Sequence, residues 1–127
     1  MKEIVVELTP PAQKDLKALW EVSEKVTEHL RSLKTNPLKG HSLSGSLQGV
    51  RALDFTLPGS GQYRAAYVYL EEENKVTVFL VGSHENFYDE ADRRVKLLKV
   101  LVKKVREENR EKGKKKPPSK PAKKEGK

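Results

Sequence analysis

Residues 50–82 read VRALDFTL, PGSG, QYRAAYVYL, EEEN and KVTVFLVG in succession, and this stretch decides the fold. Val50 to Leu57 alternates, with Leu53, Phe55 and Leu57 on one face, as a half-buried strand must. Pro58-Gly59-Ser60-Gly61 is a turn, Gln62 to Leu70 a second strand, Glu71-Glu72-Glu73-Asn74 an acidic turn, and Lys75 to Gly82 a third strand. Connections this short join antiparallel neighbours, so the three strands form a meander. The glycines at 59 and 61 lie between two strands rather than before a helix, so they read as turn residues and not as a phosphate cradle.

Outward from the meander, the pattern changes to helix. Lys2 to Leu8 is a first strand carrying Ile4, Val5, Val6 and Leu8. Thr9-Pro10-Pro11 is a helix start, with a hydroxyl able to cap and prolines where a missing N–H does no harm. Ala12, Leu16, Leu19 and Trp20 then recur at helical spacing. A second helix follows with Val22, Val26, Leu30 and Leu33 as its stripe, and His29 opposite them. Asn36-Pro37 ends this hairpin. Leu38 to Gln48 lacks periodicity and reads as a loop whose leucines tuck under the sheet. After the third strand, Ser83 is placed to cap a last helix. Tyr88, Ala91, Val95, Leu98, Val102 and Val105 form its apolar seam. The expectation is an α+β domain over residues 1–105.

The chain has 127 residues, with 26 Lys and Arg against 18 Asp and Glu. The excess is uneven: 16 basic and 14 acidic residues lie before 106, but 10 and 4 lie from 106 to 127. The domain is thus nearly neutral, and residues 106–127 form a Lys/Pro-rich tail expected to be disordered. Nucleic-acid binding must therefore be argued from a site rather than from net charge. There is no cysteine, which excludes disulfides and thiolate chemistry. No apolar run approaches the roughly 20 residues of a membrane span, and Met1-Lys2-Glu3 leads straight into a strand, so a cytoplasmic protein without membrane contact is expected.

The chemistry-bearing residues lie on and after the meander. Arg64 sits mid-strand, a rigid place from which a guanidinium fork can grip phosphate. Arg51 could reach the same phosphate. His84 is of the residue type whose unperturbed charge change falls near neutral pH, and so suits a general acid or base. Tyr88 falls one helical turn later and could stack a base or pass a proton. Glu85 is a weaker candidate base. Each has a plainer reading: Arg64 in a cross-strand ion pair with Asp54, Arg51 as a solvated strand end, Tyr88 in the core, Glu85 answering the helix dipole. No Cys/His cluster or carboxylate pair has ligand spacing, so neither metal nor cofactor is expected.

Three pieces, taken together with their order, resemble one family over about residues 2–95. They are Lys39-Gly40, Leu43-Ser44-Gly45 and Leu47-Gln48-Gly49-Val50-Arg51; Tyr63-Arg64-Ala65-Ala66-Tyr67; and Val81-Gly82-Ser83-His84-Glu85-Asn86-Phe87-Tyr88. The resemblance is to the RelE/ParE superfamily, the toxins of bacterial type II toxin–antitoxin pairs. It implies a small RelE/ParE-like fold, metal-independent cleavage of messenger RNA on the ribosome, inhibition of translation, and neutralisation by a cognate antitoxin. By position it implies catalytic roles for Arg51, Arg64, His84 and Tyr88, with Lys39 and His41 joining the arginines in RNA binding. Two alternatives share the sequence features: a ParE-type poison of DNA gyrase, and a non-catalytic protein that binds RNA or the ribosome through its basic tail.

Overall fold

A computed structural model describes residues 3–83, 85–98 and 107. The chain runs β1 (Val5–Leu8), α1 (Pro10–Ala18), α2 (Ser23–Arg31), β2 (His41–Ser42), β3 (Arg51–Leu57), β4 (Gly61–Leu70), β5 (Lys75–Ser83) and α3 (Phe87–Val95). The strands form one sheet in the order β1-β5-β4-β3-β2. The β3-β4-β5 meander is antiparallel throughout, as its short turns require. β1 joins the far side of β5 in parallel. The connection between them runs through the helical hairpin and then β2, β3 and β4, ample for the crossover that a parallel pair needs.

Alternation sorts the side chains into two layers. Leu53, Phe55 and Leu57 of β3 pack with Ala65 and Tyr67 of β4 beneath the hairpin, against Ala12, Val26 and Leu30. Ala52, Ala66, Val68 and Leu70 form the other face, covered by Phe87, Ala91 and Val95 of α3. Register steps by one between Ala66 and Tyr67, whose partners are Leu80 and Val78. Phe79 is the extra residue, and after this bulge β5 switches parity: Val76, Val78 and then Val81 all face the hairpin.

Thr9 caps α1 as its sequence signals, accepting from the Ala12 N–H at 3.3 Å. Four expectations are revised. Trp20 is 73% exposed, because α1 stops at Ala18 and Trp20 falls in the turn to α2 rather than on a helical stripe. His29 is not a bare surface residue; its ring stacks on Phe55 at 4.6 Å. The Leu38–Gln48 segment contains a short strand, β2, paired His41 to Ala52 and Ser42 to Arg51, and its Leu38 is exposed. Finally, α3 begins at Phe87, after Asn86 at φ 58°. A left-handed residue cannot continue a helix, so Ser83 ends β5 instead of capping α3. The apolar seam beyond Leu98 and the 106–127 tail lie outside the described residues, Glu107 excepted. No described helix is long and apolar enough to cross a membrane.

β1 ends at Leu8, so among the described residues β5 beyond Val78 has no strand on its outer side. Side chains close that edge. Asp15 of α1 accepts the Val81 N–H at 3.0 Å, and Arg94 of α3 donates to the Phe79 carbonyl at 3.0 Å. The two are themselves paired, Arg94 Nη1 and Nη2 lying 2.6 and 3.0 Å from the Asp15 carboxylate. This pairing holds the Arg94 guanidinium charged against the opposing effect of burial, with Glu90 assisting. Helices on opposite faces are thereby clasped around the sheet's open edge.

Candidate functional site

The register of β3 and β4 decides which charged residues meet. Arg51 stands opposite Tyr67, and Asp54 opposite Arg64. Asp54 follows Arg51 at an offset of three, an odd number, so they project from opposite faces. Arg51 shares the face of Leu53, Phe55 and Tyr67 under the hairpin, while Arg64 shares that of Ala66 and Val68 under α3. The two arginines expected to grip one phosphate are on opposite sides of the sheet.

Arg51 is instead engaged with the chain before β3. Its Nε and Nη2 donate to the Gly40 carbonyl at 2.9 and 2.6 Å, Nη2 to the Leu38 carbonyl at 3.1 Å, and Nη1 to Ser42 Oγ at 2.9 Å. The Tyr67 hydroxyl completes this joint, donating to the Pro37 carbonyl at 2.7 Å and accepting the Gly40 N–H at 3.0 Å. Burial pushes the Tyr67 phenol above its ordinary value of 10.0, against the Gly40 hydrogen bond and the nearby Arg51 charge. Gly40 is required here because a Cβ would stand 2.6 Å from the Ala52 carbonyl oxygen. Lys39 lies at the same joint and donates from Nζ to Ser32 Oγ at 3.3 Å, beside the helical hairpin.

On the α3 face, Arg64 is the centre of a compact group. Its Nε donates to Asp54 Oδ1, confirming the cross-strand pair as one of the two sequence readings. Its guanidinium carbon lies 5.4 Å from the centre of the Phe87 ring and 5.0 Å from that of Tyr88. The side chain is 11% exposed, and its buried Nη1 has no hydrogen-bond partner among the described residues. The second oxygen of Asp54 faces His41, with Nε2 to Oδ2 at 3.3 Å. A shallow cleft lined by Asp54, Thr56, Gln62 and Arg64 opens alongside. Among the described residues no cluster of three His, Cys, Asp or Glu could hold a metal ion.

Tyr88 is 44% exposed and meets Phe87 edge-on, the centroids 5.5 Å apart. Phe87, not Tyr88, takes the buried position at the start of α3. Glu85 is exposed in the turn, immediately before Asn86 at the N-cap of α3. His84 lies outside the described residues. Because α3 starts only at Phe87, the helical spacing that put His84 and Tyr88 on one helix face does not apply. Sequence reasoning missed Phe87 as a wall of the site and underrated Asp54 and His41. The signal for Asp54 was present, since the PGSG turn sets it opposite Arg64.

The arrangement defines a small α+β domain with an aromatic-walled arginine on the central antiparallel strand. The profile of the ParE-like toxins of type II bacterial toxin–antitoxin systems matches residues 6–92. The chain belongs to this family. No curated protein is significantly similar to it. Among solved structures, the RelBE2 toxin–antitoxin complex of Mycobacterium tuberculosis is similar at 26% identity and a TM-score of 0.56, over 65% of this chain and 100% of that one. A doubly substituted RelE toxin of Escherichia coli in the free state matches at 26% identity and a TM-score of 0.58, over 74% and 99%. The intact E. coli RelBE complex matches at 25% and 0.52, over 65% and 98%. The fold is RelE-like, and the protein is a type II toxin of the RelE/ParE superfamily.

Proposed function

We propose that this toxin is an endoribonuclease that cleaves messenger RNA on the ribosome and is silenced by a cognate antitoxin. The observation that carries the reading is Arg64, a nearly buried guanidinium with a donor that has no partner among the described residues. Such a group is stabilised by an anion, and a phosphodiester offers two acceptor oxygens to its planar fork. Tyr88, half exposed over the same guanidinium, is placed to stack a base as the phosphate docks. Catalysis without metal then depends on Arg64 stabilising charge on the phosphorane-like transition state. A proton-transfer role for His84 rests on the family resemblance alone. Arg51 and Lys39 contribute by fixing the loop before β3, rather than by touching RNA. The antitoxin follows from family membership and from the RelBE complexes among the similar structures.

A gyrase-directed activity is the second reading, favoured by the ParE-like profile. Inducing the wild type and Arg64→Ala in bacteria, and mapping new messenger RNA 5′ ends, separates the two. New ends inside translated frames that vanish in the variant are the expected result. Growth arrest with unchanged 5′ ends and cleaved DNA would refute ribonuclease action in favour of gyrase. Unimpaired growth would refute both and leave a binding protein.

A further inference from the structure

The proton-transfer group of this site can be named from geometry, on the reading that the site cleaves RNA. Asp54 uses both carboxylate oxygens: Oδ1 accepts from Arg64 Nε and Oδ2 faces His41 Nε2 at 3.3 Å. A carboxylate can only accept, so the neutral tautomer that suits this contact has its hydrogen on Nε2 and leaves Nδ1 as the acceptor. His41 is on a two-residue edge strand, its side chain 51% exposed. The imidazole therefore lies at the solvent-facing rim of the group that holds Arg64. A base oriented by a carboxylate, beside a cation suited to phosphate, is the constellation that internal phosphodiester transfer needs.

We propose that His41 is the general base of this toxin and Asp54 its positioning residue. In the step, His41 Nδ1 takes the proton of the ribose 2′-hydroxyl. The 2′ oxygen forms its bond to phosphorus as the bond from phosphorus to the 5′ oxygen breaks. The departing 5′ oxygen takes a proton from water, and the imidazolium returns its own to the hydroxide so formed. The products are a 2′,3′-cyclic phosphate and a 5′-hydroxyl, with no oxidant, reductant or metal consumed. Asp54 links the two functions: one oxygen sets the tautomer of the base while the other holds the phosphate-binding arginine.

The joint on the opposite face fixes His41 in place. Arg51 binds the Gly40 carbonyl and Ser42 Oγ, the residues on either side of it. His41 can therefore be truncated without loosening that strand.

The test is single-turnover cleavage of a reporter messenger RNA on purified ribosomes by full-length toxin. His41→Ala should slow the chemical step by about 100-fold or more, the usual share of a general base, with KM unchanged. The half-exposed position leaves room for added imidazole to restore part of the rate. Asp54→Asn should also reduce the rate, because it sets the wrong tautomer of the base. The Asn carbonyl must face Arg64, so its amide donates to His41 Nε2 and forces the hydrogen onto Nδ1. Nitrogen NMR of the imidazole reads that tautomer change directly, without reference to activity. Wild-type rates in His41→Ala would overturn the proposal while leaving the ribonuclease reading intact. So would a loss confined to KM, or one that imidazole does not relieve, or an unchanged tautomer in Asp54→Asn. Absence of cleavage by the wild type would instead refute the ribonuclease reading, and this assignment with it.

Discussion

Removing the Tyr67 hydroxyl is the sharpest probe of how the chain before β3 is held. Tyr67→Phe keeps the ring, which is fully buried on the hairpin face, and deletes one oxygen. That oxygen serves two groups: it donates to the Pro37 carbonyl at 2.7 Å and accepts the Gly40 N–H at 3.0 Å. Relaxation to water is blocked because Arg51 holds Gly40 from its carbonyl side. The buried Gly40 N–H, once orphaned, costs about 1–3 kcal/mol and the part-buried Pro37 carbonyl adds less, so the pair should cost about 2–4 kcal/mol together. For a domain of this size that lowers Tm by about 10–25 °C, at about 4–8 °C per kcal/mol. Urea denaturation of wild type and variant measures the difference. A change below about 0.5 kcal/mol, the scatter of innocuous surface substitutions, would refute this account of the joint.

The same phenol makes an alkaline prediction. Burial raises its folded-state pKa above 10.0, so the folded chain keeps a proton that the unfolded chain releases. Its contribution is complete below pH 10 and is lost as pH climbs through the raised value. Over that window stability falls by up to about 1.4 kcal/mol per pH unit from this group alone. Tyr67→Phe lacks the group, so its alkaline limb should be shallower than the wild type's by one proton. Parallel limbs would show that the phenol does not titrate differently on folding.

Two further substitutions test the remaining supports. Gly40→Ala would put a Cβ 2.6 Å from the Ala52 carbonyl oxygen and 2.8 Å from the Tyr67 hydroxyl, and should destabilise by about 1–3 kcal/mol in chemical denaturation, as overpacking does. Asp15→Ala orphans the Val81 N–H at the open edge of β5 and leaves Arg94 only Glu90 and the Phe79 carbonyl, and should cost about 2–3 kcal/mol; hydrogen exchange should show Val81 losing protection before the central strand.

The sheet was legible because β-periodicity is local. PGSG and EEEN are short enough to force antiparallel pairing, so the meander follows from three adjacent strings. Thr9-Pro10-Pro11 likewise announces α1 through its own atoms. The parallel place of β1 against β5 was not legible, since it depends on partners about 70 residues away and leaves no local mark. The start of α3 failed for a different reason. Asn86 adopts a left-handed conformation that an asparagine tolerates but does not advertise, and it delays the helix past Ser83. That shift put Phe87, rather than Tyr88, in the core.

The site shows how parity outweighs residue chemistry. Arg51 and Arg64 look equivalent as charges, yet Leu53, Phe55 and Leu57 already fix the face of every odd residue on β3. Arg51 belongs to that face and cannot share a ligand with Arg64. Its four hydrogen bonds nonetheless bear on the site from behind. They hold Gly40 and Ser42, and between those two stands His41, whose own side chain emerges on the Arg64 face to meet Asp54. A strand only two residues long gains little from its own ladder, so its geometry must be imposed by side chains. Arg51 and Tyr67 impose it from one side of the sheet. The histidine, aspartate and second arginine are thereby assembled on the other.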